Sequence, residues 1–139
     1  MAWQIKFANP AKPGLFYDGG YATLSEFAIS RRTKSLRAMF TVFADADAYA
    51  AWKSSPSSVA PLGDFALELS AVKRVVQQQI NSPKDGSVAF PEITAPAFDD
   101  FMAALPSVDG AKSLYDVIAR ALYGLSKTMI LPFADAQAV

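Results

Sequence analysis

The chain has 139 residues, with 13 basic and 13 acidic side chains and neither histidine nor cysteine. This excludes disulfide frameworks, thiol or imidazole catalysis and the commonest metal ligands, and it leaves no global field to draw in nucleic acid. Charged residues make up 19% and apolar residues 52%, against about 25% charged in ordinary domains, so other protein chains are expected to cover part of the surface. The length fits a single domain over residues 1–139, able to bury roughly two-thirds of its unfolded surface.

The first residues, MAWQIKF, lack the parts of a signal peptide. Trp3, Ile5 and Phe7 alternate with Gln4 and Lys6, the pattern of a half-buried strand. The prolines of ANPAKPG break it, and YDGG (residues 17–20) reads as turn chemistry. Residues 21–30 read as a second strand. Its apolar phase changes between Leu24 and Phe27, which predicts a bulge or two buried faces. Arg31, Arg32, Lys34 and Arg37 follow as a basic stretch. A third strand over residues 36–43 carries Leu36, Ala38, Phe40 and Val42 on one face and a weakly polar opposite face, as a central strand does. Asp45 is placed to cap a short helix over residues 46–53, with Tyr49 and Trp52 at i, i+3.

Residues 54–63 form a connector. Residues 64–80, DFALELSAVKRVVQQQI, fit two periods. Phe65, Leu67 and Leu69 alternate, while Phe65, Leu69, Val72, Val76 and Ile80 follow helical spacing. Length and composition favour helix. NSPKDG stops it, and SVAF suggests a short strand. Two amphipathic helices follow. Phe98, Phe101, Met102 and Leu105 stripe the first, over residues 97–105. Leu114, Val117, Ile118, Ala121, Leu122 and Leu125 stripe the second, over 111–126. Asp109 is its expected cap, Gly124 lies near its end, and Lys112, Asp116 and Arg120 form its outer ladder. TMILPF (residues 128–133) is expected to close as an edge strand, with Pro132 confining it there. No run of about 18 apolar residues exists to span a membrane.

Motifs that carry chemistry are sparse. There is no Gly-rich phosphate loop and no G-x-G-x-x-G. SAVK (residues 70–73) matches the S-x-x-K nucleophile signature, but its partners S-D-N and K-T-G are missing. Asp45 with Asp47, and Asp99 with Asp100, read as helix-start charges rather than metal or acid–base pairs. No catalytic residue, cofactor or metal is expected. The basic stretch reads as a solvated turn, with Arg31 and Arg32 available for salt bridges to a partner and no specific nucleic-acid contact.

Strands precede helices, so the expected fold is α+β: a small, mainly antiparallel sheet from the N-terminal strands, packed against two or three C-terminal helices. The expected function is a non-enzymatic subunit of a homo- or hetero-oligomeric assembly. Its interface candidates are Tyr115 and Tyr123 beside the last helix stripe, Met129, Ile130, Leu131 and Phe133 of the tail, and Arg31 and Arg32. The alternative is a monomeric module that binds a small molecule or peptide in an apolar, aromatic-lined pocket. At RAMFTVFADADAYAAW (residues 37–52), where a strand runs into a short helix, the chain resembles small tail or baseplate proteins of bacteriophages. The resemblance implies a virion component without catalysis. The absence of cysteine fits synthesis in the cytoplasm, and no membrane insertion is expected.

Overall fold

The computed structural model describes residues 2–8, 16–81, 87–106 and 113–139. The expectations for residues 9–14 and 82–86, for Asp109 and for Lys112 lie outside them. The described chain runs β1 (Trp3–Ala8), β2 (Phe16–Ser30), β3 (Ser35–Phe43), α1 (Ala46–Ser54), β4 (Gly63–Leu69), β5 (Arg74–Gln77), β6 (Ile80–Asn81), β7 (Val88–Ala89), β8 (Glu92–Ala95), α2 (Phe98–Ala103), α3 (Leu114–Met129) and β9 (Gln137–Ala138). Single 3-10 turns lie at Pro56–Ser58 and Leu131–Phe133. The fold is α+β, built on a five-stranded antiparallel sheet in the order β4-β3-β2-β1-β9.

The alternation read in the sequence sets the two faces of this sheet. Trp3, Ile5, Ala22, Leu36, Ala38, Phe40, Val42, Leu67 and Leu69 are buried on one face, in register through pairs such as Trp3↔Ala22, Ala38↔Leu67 and Leu36↔Leu69. Helices α2 and α3 and the Leu131–Phe133 turn cover it with Phe98, Phe101, Ile118, Leu122 and Phe133. The opposite face carries Arg37, Asp64, Ala66 and Glu68, all exposed. Among the described elements α1 packs on it, holding Tyr49 and Trp52 against Phe43, with Tyr21 stacked on Tyr49 at 5.0 Å.

The bulge lies where the phase change placed it, between Leu24 and Glu26 in the β2–β3 ladder. It falls just past the last β1–β2 pair, Trp3↔Ala22, and the hydroxyl of Tyr123 takes over from the missing strand. Leu24 donates its backbone N–H to Tyr123 Oη at 2.7 Å, and Thr23 Oγ1 lies 3.3 Å from the same oxygen. Trp3 Nε1 donates to Ser126 Oγ at 3.0 Å one helical turn further on.

Four expectations are corrected. YDGG is not a turn, because Tyr17 and Gly20 pair with Phe7 and Ile5 inside a 15-residue β2. Two glycines weaken a strand without forbidding it when a long ladder continues on both sides. Residues 64–80 are not a helix. They form β4 and β5 with a turn between them, and β4 keeps the Phe65, Leu67, Leu69 alternation because β3 offers those residues a buried face. TMILPF is not an edge strand. Thr128 and Met129 end α3, and residues 131–133 form the 3-10 turn, while the C-terminal edge strand is β9, paired with β1. Helix α3 runs through Gly124 to Met129, and its cap is Ser113, whose Oγ accepts from Asp116 N–H at 3.2 Å.

Two variants test this packing. A Cβ added at Gly124 would meet nothing within 4 Å, so Gly124→Ala should raise stability by about 0.5–1 kcal/mol in urea unfolding, the usual gain when an exposed mid-helix glycine is replaced. Tyr123→Phe keeps the ring and removes the oxygen that satisfies Leu24 N–H. It should cost about 1–3 kcal/mol, and an unchanged midpoint would mean that water replaces the phenol at the bulge.

Candidate interaction surface

Residues 74–81 and 87–95 form a two-stranded ribbon apart from the main sheet. β5 pairs with β8 through Arg74↔Ala95, Val75↔Thr94, Val76↔Ile93 and Gln77↔Glu92, and β6 pairs with β7 through Ile80↔Ala89 and Asn81↔Val88. The second pairing continues the register of the first, so the two short ladders lie along one ribbon. Pro91 sits in the interruption between them. It has no N–H to donate, and its carbonyl accepts from Gln78 N–H at 3.0 Å. Val75, Val76, Ile93 and Thr94 are β-branched, which suits them to a strand rather than to the helix expected over part of this stretch.

The two-residue period gives the ribbon two unlike faces. Val76, Gln78, Pro91, Ile93 and Ala95 turn inward and are half-buried or buried. Gln78 fastens this face to the end of α3. Its Nε2 donates to the Met129 carbonyl and its Oε1 accepts from Leu131 N–H at 3.1 Å, so one amide serves two backbone groups that the helix end leaves over. The outward face presents Val75, Gln77, Val88, Phe90, Glu92 and Thr94, all exposed. Val75, Val88 and Phe90 are 62%, 48% and 56% exposed. Three large apolar side chains on the outer face of one ribbon are more than scattered surface residues.

The residues expected at an interface are split up by the fold. Tyr123, Met129, Ile130 and Phe133 are buried in their own chain, and Leu131 is half-buried. Most of the tail is therefore core. Tyr115 is exposed and packs its ring against Phe27 at 5.2 Å, beside an exposed Leu114, so the long helix buries Ile118 and Leu122 but not Leu114. Arg31 and Arg32 lie exposed in the turn between β2 and β3 and have no ion-pair partner among the described residues. Lys34, in the left-handed region at φ 51°, reaches Asp99 of α2 at 2.9 Å, and Arg37 lies 3.4 Å from Glu68. These pairs are exposed, and salt screens them.

The other candidates take structural positions. Asp45 caps α1, its Oδ1 accepting from Ala48 N–H at 2.8 Å. Asp99 and Asp100 stand in the first turn of α2. Ser70 and Lys73 occupy the β4–β5 turn, where the Ser70 hydroxyl donates to Val72 O at 2.9 Å, rather than one turn of a helix. Among the described residues no three His, Cys, Asp or Glu side chains group to hold a metal ion, and no helix is long and apolar enough to cross a membrane. The Tyr21 phenol is pushed up from its ordinary value by burial, with Tyr49 and Tyr123 adding to the effect. A cavity of about 330 Å³ is lined by Ala28, Ile29, Ser30, Ser35, Leu36, Arg37, Glu68 and Leu69, with no aromatic side chain among them.

No protein-family model, curated protein or solved structure matches the chain.

Sequence reading missed the ribbon because it joined residues 64–80 into one helix. The signal was present on the other strand, where Val88, Phe90, Glu92 and Thr94 alternate with Ala89, Pro91, Ile93 and Ala95. The basic turn has its own test. Arg31→Ala with Arg32→Ala should leave the unfolding midpoint within about 0.5 kcal/mol. Wild-type protein should have no sub-micromolar affinity for DNA or RNA at near-physiological salt, where neutral net charge gives little counterion release.

Proposed function

We propose that the protein is a non-catalytic structural subunit of a multi-chain assembly and that it docks through the outward face of the ribbon of residues 74–81 and 87–95. The observation that supports this is the placement of Val75, Val88 and Phe90 on that face, while Gln78 holds the inward face to α3. A ribbon anchored on one side presents a pre-formed apolar strip to a partner, and ordering it on binding costs little. Gln77, Glu92 and Thr94 rim the strip with polar groups, the arrangement of a docking patch. The resemblance at residues 37–52 gives the reading its direction, a tail or baseplate component of a bacteriophage virion.

The cavity beside Arg37 and Glu68 favours a second reading, a monomeric module for a small ligand. Its volume falls at the lower end of ligand pockets, which run about 300–1,000 Å³. Size decides between the two. Under the assembly reading, light scattering on concentrated protein gives a mass above one chain, and Val75→Ser with Phe90→Ser returns it to one chain with the circular dichroism unchanged. A wild-type protein that stays monomeric and is no less soluble than this variant would displace the assembly reading in favour of the module.

A further inference from the structure

The second edge of the molecule is β4, the last strand of the main sheet. Its backbone groups divide by parity. Arg74 Nη2 donates to Glu68 O at 3.3 Å, and Phe98 N–H donates to Ser70 O at 2.8 Å. Even-numbered carbonyls therefore point away from β3, and the two-residue period turns the backbone of Asp64 and Ala66 the same way. The N–H and C=O of Ala66 have no partner among the described residues, and the side chains of Asp64, Ala66 and Glu68 are exposed on one face. On the other face Phe65 is half-buried and Leu67 and Leu69 are buried.

We propose that the free edge of β4 receives an extended strand from a different protein. That strand presents an arginine or lysine opposite Glu68, a hydroxyl or second cation opposite Asp64, and apolar residues on the alternate side. The chain already contains the pattern, because β3 pairs with the inner edge of β4 in this way. Arg37 lies across from Glu68 at 3.4 Å, Thr41 Oγ1 donates to Asp64 Oδ1 at 2.7 Å, and Ala38 and Phe40 stand opposite Leu67 and Phe65. An outer strand with the same alternation takes the place that the exposed Arg74 guanidinium holds at the Glu68 carbonyl and, at 4.0 Å, beside its carboxylate, and it extends the same apolar face, with main-chain hydrogen bonds supplying affinity. A second copy of β4 is disfavoured in the symmetric register that centres on the free Ala66 groups. Antiparallel pairing about Ala66 would set Asp64 of each copy against Glu68 of the other on one face, and like charges directly opposite are destabilising. This edge meets the ribbon only through Arg74 at the start of β5; it does not include the outward apolar face of the ribbon and does not depend on the assembly reading.

The test uses the full chain and a fluorescent peptide carrying the Ser35–Phe43 sequence, SLRAMFTVF, with two lysines at each end for solubility. The comparison peptide has glutamate at the position equivalent to Arg37. The expected result is at least tenfold tighter binding of the arginine peptide, with slowed hydrogen exchange at the Ala66 amide. Ala66→Pro removes the outward donor at an edge position where proline is tolerated and should abolish binding, with circular dichroism confirming the fold. Glu68→Lys should reverse the preference between the two peptides. Val75→Ser with Phe90→Ser should leave peptide binding intact, which keeps this result apart from that of the ribbon. Equal binding of the two peptides, no binding of either at millimolar concentration, or binding unaffected by Ala66→Pro would overturn the proposal. So would a dimer of the chain alone that Ala66→Pro dissolves, since the edge would then belong to a second copy.

Discussion

A row of edge-to-face aromatic rings crosses the sheet from one side to the other, and the rest of the core is arranged around it. Trp3 of β1 meets Tyr123 of α3 at 5.7 Å, Tyr123 meets Phe40 of β3 at 5.4 Å, Phe40 meets Phe133 at 5.6 Å, and Phe133 meets Phe65 of β4 at 5.4 Å. The interplanar angles run from 72° to 83°, close to the T-shaped geometry that places a positive ring edge on a negative ring face. Three strands, the long helix and the turn after it each contribute a ring. The spacing of α3 above the sheet is thus set by ring thickness at several points at once, and neither end can slide without breaking a pair.

Polar groups fix the direction of this row. Trp3 and Tyr123 each carry one hydrogen-bonding atom, and burying either without a partner would cost more than the ring contact returns. Both find partners inside the core. Trp3 Nε1 donates to Ser126 Oγ, and Ser126 in turn donates to Tyr123 O at 2.6 Å. Tyr123 Oη accepts from Leu24 N–H. The last of these ties the helix to the β2 bulge, so the bulge and the phenol depend on each other. A straight β2 would bring a different backbone group to the oxygen, and a helix without the phenol would leave Leu24 N–H unpaired. The end of α3 is held by a similar exchange, in which the Gln78 amide of the ribbon serves Met129 and Leu131.

Much of the sheet was legible because its signal is local and its two faces differ. Trp3 and Ile5 on β1, the Leu36–Val42 alternation on β3 and the broken phase of β2 at Leu24 each read correctly from side-chain order alone. The failures share a cause. Phe65, Leu69, Val72, Val76 and Ile80 satisfy a helical period only if residues 70–73 continue the element, and the actual turn there carries no proline or glycine to mark it. Ser70 closes that turn with its own hydroxyl, a device that a polar helix residue would match in sequence. Gly124 misled in the opposite sense. It reads as a helix end, yet the burial of Ser126, Met129 and Ile130 beyond it carries α3 onward against a penalty of only about 1 kcal/mol.

Composition limits the polar cover available to this chain but does not say which apolar residues stay outside. A low count of charged residues limits the polar cover available, and that limit holds for any fold the chain adopts. Which apolar residues stay out is decided by pairing between distant segments. TMILPF is the more hydrophobic segment by sequence, and it is drawn in because Phe133 completes the ring row and Met129 ends a helix already committed to the core. Val75 and Phe90 belong to less apolar stretches and are left out, because a two-stranded ribbon has one face to bury and one face over. The same geometry explains why charge gathers on β4. An edge strand with Leu67 and Leu69 on its buried side would invite pairing with its own kind, and Asp64 and Glu68 on the open side oppose that contact while leaving a strand of opposite charge free to enter.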